Sequence, residues 1–99
     1  MNLIETQKID LLVFHADWCS SCQTMAPVLE EVREIYKDQI NFVFIDSDRH
    51  TSVVTSLQIR SIPTYIAFCK KQELWRRAGL ISNREFIEKL ENLLNSYCK

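Results

Sequence analysis

An α/β fold is expected, a three-layer α/β/α sandwich with a mixed central sheet of about four strands flanked by helices. Three observations predict it. Continuous apolar runs at 11–14 and 40–45 ("LLVF", "INFVFI") mark strands buried on both faces. Between and after them, apolar residues recur at the spacing of one helical face. The order strand, helix, strand, helix, strand, strand, helix opens with a unit that demands parallel pairing through a right-handed crossover. With 99 residues the chain makes one domain, 1–99.

The first strand is "DLLVFHA", 10–16, whose consecutive apolar residues show no clear alternation. A helix follows from Cys19, carrying Met25, Val28, Leu29, Val32, Ile35 and Tyr36 on one face, with Pro27 inside it as a kink. "INFVFID", 40–46, is the second strand, and Val53, Val54 and Leu57 suggest a short helix within 49–58. "PTYIAFC", 63–69, is the third. The fourth, "ELWRRA" at 73–78, sets Leu74, Arg76 and Ala78 against Trp75 and Arg77, and is close enough to the third for a hairpin. Gly79, the single glycine, follows where a bulge or close backbone approach would need its missing Cβ. In the last helix Ser82 and Glu85 form a capping box, and Phe86, Leu90, Leu93, Leu94 and Tyr97 make its apolar stripe.

Composition excludes some functions. Lys and Arg total 12 against 13 Asp and Glu, so nothing favours nucleic acid or an anionic membrane. No apolar run approaches the roughly 20 residues of a membrane helix. The start, "MNLIETQKID", lacks the pattern of a secretory signal, which makes a cytoplasmic address the default.

Four cysteines are present. Cys69 and Cys98 read as a buried thiol and a tail thiol, with a bridge between them left open and Cys98 also open to glutathionylation or to bridging two chains. Cys19 and Cys22 stand three apart at the seam between strand and helix. A thiolate is the attacking species in disulfide exchange, and the first turn of a helix offers it free N–H groups and the positive end of the dipole. Cys19 is therefore expected to be the exposed nucleophile, and Cys22, deeper on the same face, the resolving thiol. Half a zinc site is the bland alternative, but Cys69, Cys98, His15 and His50 are too scattered to complete a tetrahedron.

"ADWCSSC", Pro27 eight residues after the first cysteine, "IRSIPTYIAF" and "RRAGL" together resemble thioredoxin over about residues 10–97. The resemblance implies a thioredoxin-like domain acting as a protein-disulfide reductase, in electron transport and cell redox homeostasis. It implies a cis Pro63 beside the thiols. It also implies a shallow groove of Trp18, Ser61, Ile62, Pro63, Ala78, Gly79 and Leu80, where the Ile62 backbone pairs with an extended client segment. No metal or organic cofactor is expected. Disulfide-containing client proteins are the implied partners, a flavin-dependent thioredoxin reductase the implied electron source, and a monomer the implied state. A thioredoxin-fold binding or assembly module, or a weak zinc protein, is the other class of reading.

The chain departs from the family in places. Ser20 and Ser21 replace the usual Gly-Pro, and their hydroxyls are expected to stabilise the Cys19 thiolate and raise the reduction potential. Val13 and Phe44 stand where the family keeps a buried acid and a lysine. His15 replaces an aromatic residue; it can titrate in the useful range, but packing is the preferred reading. The segment before the first strand is short, with "NLIETQK" as a turn of helix or an edge strand. Asp46 and Asp48 are read as ending a strand and capping a helix. Lys70, Lys71, Arg76 and Arg77 are read as a solvated edge.

Overall fold

A computed structural model describes residues 8–96. The segment 1–7, with most of "NLIETQK", and Tyr97 and Cys98 lie outside the described residues. Seven elements follow in the expected order: β1 (Ile9–His15), α1 (Ser20–Tyr36), β2 (Ile40–Asp46), α2 (Thr51–Ser56), β3 (Thr64–Cys69), β4 (Gln72–Ala78) and α3 (Asn83–Ser96).

The sheet order is β2-β1-β3-β4. β1 runs parallel to β2, with Val13 opposite Phe44 and His15 opposite Asp46, and antiparallel to β3. β3 and β4 form the antiparallel hairpin. Alternation along β1 decides which helices go where. Ile9, Leu11 and Val13 face Met25, Leu29, Val32 and Tyr36 of α1 and Phe86, Leu90 and Leu93 of α3 in one buried cluster. Leu12, Ile66 and Arg76 share the opposite face by register. There Arg76 Nη1 donates to Leu57 O at 2.9 Å, which fixes the end of α2 on that side. Helices thus cover both faces of a mixed sheet.

Several expectations need correction. Ile35 is half-exposed, because Val32 and Tyr36 already fill the stripe of α1. β4 carries an irregularity against Ala67/Phe68, so Glu73 pairs with Phe68 and Trp75 with Ala67, and both Leu74 and Trp75 pack on the α1/α3 core. The bulge is there and not at Gly79, around which a Cβ would meet nothing within 4 Å; its φ of +88° is what requires glycine. Arg76 pairs with Glu73 and Arg77 with Glu85, so the arginines are engaged. Lys70 and Lys71 are exposed and form the two-residue turn, both at positive φ as a primed hairpin turn demands.

Ser82 Oγ accepts the Glu85 N–H at 3.1 Å, one half of the capping box. The Glu85 carboxylate takes Arg77 instead, at 2.6 Å, and so ties α3 to β4. α2 ends on Gln58 at positive φ, with Gln58 N bonded to Thr55 O and Ile59 N to Val54 O, a Schellman arrangement without glycine. Its N-cap is His50, whose ring nitrogen Nδ1 lies 3.1 Å from Asp46 O and makes no capping bond to the helix, so neither Asp46 nor Asp48 caps it. Cys69 is buried at the end of β3 and is disulfide-bonded, so it is not the free thiol expected.

Candidate active site

The end of β1 delivers the chain to a turn at Asp17 and Trp18, and Cys19 then becomes the N-cap of α1 in extended conformation. Cys19 N bonds Ala16 O at 3.2 Å, and Gln23 N bonds Cys19 O at 3.2 Å. A cysteine here does what Ser or Asp does at other N-caps: its sulfur accepts a first-turn amide, the Cys22 N–H, at 3.1 Å. Both cysteines are free thiols. The Cys19 thiol donates to Ile62 O at 3.7 Å, which brings the segment before β3 against the motif.

The Ile62–Pro63 bond is cis, as the resemblance implied. Pro63 is buried, and its carbonyl accepts Gly79 N–H at 2.9 Å; Gly79 O in turn accepts the Tyr65 hydroxyl at 3.0 Å. Thr64 Oγ1 donates to Ser61 O at 2.6 Å. These bonds link the Cys19 cap, Ser61–Thr64 and the Ala78–Leu80 turn into one surface. On it Trp18 and Leu80 are prominently exposed, Ser61 and Ala78 are exposed, and Ile62 and Gly79 are half-buried. Asp48 is the residue the sequence reading missed: its Oδ2 accepts Trp18 Nε1 at 2.9 Å and holds the indole beside the motif. Its only sequence signal was a carboxylate shortly after a strand, which served equally well as a cap.

The expected depths of the two thiols are reversed. Cys19 is 5% exposed, under the Ile62–Pro63 segment, and Cys22 is the more open of the two. The reason is a cavity of about 500 Å³ behind α1 that Cys22 lines together with Val13, His15, Asp17, Glu30, Phe44 and Pro63. Val13 and Phe44, opposite one another in the sheet, wall it with hydrocarbon. Desolvation, the hydrogen bond with Cys19 and the charge of Cys19 push the Cys22 thiol up to about 11. Neither Ser20 nor Ser21 has a hydroxyl bond to Cys19 Sγ; the donor there is the Cys22 amide. The hydroxyl bonds expected from the serines are therefore not made in this arrangement.

Among the described residues no group of three His, Cys, Asp or Glu is placed to hold a metal ion. No helix of the described residues is long and apolar enough to cross a membrane.

Known proteins resemble this chain in sequence and in fold. A thioredoxin family model matches residues 1–92. Thioredoxin Y2, chloroplastic, of Arabidopsis thaliana is 40% identical over 93 residues, which is 93% of this chain and 55% of that protein. The thioredoxin of Mycoplasmoides gallisepticum is 36% identical over 90 residues, 91% of this chain and 89% of that one. The chain thus spans about half the length of the plant relatives it matches. A solved structure titled as thioredoxin-2, a component of malaria parasite protein secretion machinery, superposes with a TM-score of 0.82 at 24% identity. It covers 86% of this chain and 82% of that one, and supports the fold. The chain belongs to the thioredoxin family.

Proposed function

We propose that this protein is a protein thiol–disulfide oxidoreductase that reduces disulfides in client proteins, with Cys19 as nucleophile and Cys22 as resolving thiol. The observation that carries the reading is the 3.1 Å bond from the Cys22 N–H to Cys19 Sγ at the start of a 17-residue helix. It aims an amide donor and the helix dipole at the atom where negative charge must reside.

In the first step the Cys19 thiolate attacks one sulfur of a client disulfide. A bond forms between Cys19 and that sulfur, and the other client sulfur leaves as a thiolate and takes up a proton. Cys22 then gives up its proton and attacks Cys19 Sγ. The Cys19–Cys22 bond forms, the client's second sulfur departs, and two electrons have passed to the client. The surface of Trp18, Ser61, Ile62, Pro63, Ala78, Gly79 and Leu80 receives the client as an added extended segment. A flavin-dependent, NADPH-fed reductase regenerates the dithiol. The protein acts as a monomer, without cofactor, with the cytoplasm as its proposed site.

Insulin reduction driven by dithiothreitol tests this. Wild type is expected to accelerate precipitation of the insulin B chain, and both Cys19→Ser and Cys22→Ser to abolish the acceleration, with Cys22→Ser trapping a Cys19 mixed disulfide. Equal inactivity of wild type and Cys19→Ser would favour a binding module.

A further inference from the structure

Resolution requires the Cys22 thiol to lose its proton, and burial beside Cys19 makes that costly near neutral pH. A proton acceptor must therefore face it. The walls of the cavity at Cys22 supply few. Val13, Ala16, Ala26, Leu29, Phe44 and Pro63 carry no titratable group. From the loop and from α1, Asp17 and Glu30 reach its rim, and both are exposed. From β2, Asp46 lies opposite His15, but its carboxylate is engaged by Asp48 N–H at 3.0 Å and by Arg49 at 3.7 Å. Arg33 stacks on Phe44 at 5.9 Å and can only donate. From β3, the Tyr65 hydroxyl is bound to Gly79 O, and its own ionisation is pushed upward by burial.

That leaves His15. It lies on the cavity face of β1, half-buried, with its ring edge toward Phe44 at a centroid distance of 6.4 Å. Neither ring nitrogen has a hydrogen-bond partner among the described residues. An imidazole nitrogen offers a lone pair when unprotonated, and the cavity of about 500 Å³ that His15 and Cys22 both line is large enough to hold water.

We propose that His15 accepts the Cys22 proton, through one bridging water, as Cys22 attacks the mixed disulfide, an assignment that rests on the disulfide-exchange reading above. The balance is simple. The proton moves from Sγ to the imidazole, the Cys19–Cys22 bond forms as the Cys19–client bond breaks, and the departing client thiolate takes a proton from imidazolium or solvent.

The test separates the two attacks. Protein with Cys19 and Cys22 in the dithiol form, mixed with one equivalent of an aromatic disulfide such as 5,5′-dithiobis(2-nitrobenzoate), releases a first coloured thiolate when Cys19 attacks. It releases a second when Cys22 closes the ring. In wild type the second phase is expected to follow the first promptly at neutral pH. His15→Gln and His15→Phe are expected to keep the first phase. They should slow the second roughly a hundredfold at neutral pH, the low end for a general base, and leave it rising with hydroxide alone. Imidazole added to His15→Ala is expected to restore part of the lost rate, which a packing role would not allow. Asp17→Asn and Glu30→Gln are expected to leave the profile intact. An unchanged second-phase profile in the His15 variants, or its loss in an Asp17 or Glu30 variant instead, overturns the assignment. Absence of the first phase in wild type would overturn the exchange reading itself.

Discussion

Cys19 and Cys22 are the same residue type three positions apart, and their surroundings treat them differently. Cys19 receives an amide at the helix cap and is covered by Ile62, whereas Cys22 turns into a cavity walled mostly by hydrocarbon. Desolvation outweighs the other causes at Cys22, and the neighbouring sulfur adds to it. Titration of the reduced protein, followed by thiolate absorbance with Cys22 assigned by variant, is expected to place Cys22 near 11. Cys19→Ala removes two raising causes and is expected to lower that value while leaving it above 9.0, because burial persists. The linked stability has a definite sign. Between 9.0 and about 11 the folded state holds a proton that the unfolded state has lost. Stability is therefore expected to fall as pH rises through that window, and urea midpoints across it check this.

At the scale of elements, the thiols depend on three chain segments meeting at the ends of β1, β3 and β4. The Gly79 turn closes the set, donating to Pro63 O and accepting from Tyr65. Its φ of +88° with open space around the missing Cβ separates backbone strain from crowding. Gly79→Ala is expected to cost about 1–2 kcal/mol through the backbone alone. Gly79→Asn is expected to cost less, since Asn tolerates left-handed conformations. Denaturant unfolding of the two variants distinguishes them, and equal losses would mean that side-chain crowding matters after all. The turn at Lys70–Lys71 shows the reverse situation: two lysines hold positive φ because the hairpin needs a turn of that hand, where sequence preference alone favours Asn or Gly.

Over the whole molecule, α1 and α3 are held on one face of the sheet by a continuous core. Phe86 sits at its centre, fully buried and in edge contact with Tyr65 at 5.1 Å and tilted against Trp75 at 6.0 Å. Tyr36 adds a polar tie by donating to Glu91 at 2.8 Å. A domain of this size has on the order of 5–15 kcal/mol of stability in total. Phe86→Ala is expected to remove about 3–5 kcal/mol of it, read as a lowered urea midpoint. A loss under about 1 kcal/mol would mean that α3 is not held by this cluster.

The sequence by itself determined the element order, the helix-cap position of the cysteine pair and the apolar stripes. Each depends on neighbours one turn or two residues away, where spacing is geometry. Tertiary structure alone decided which thiol is the more open, that Asp48 holds Trp18, that His15 shares a cavity with Cys22, and where β4 breaks its register. Those features join residues up to dozens of positions apart, and pairing between strands and helix packing, not local periodicity, bring them within reach.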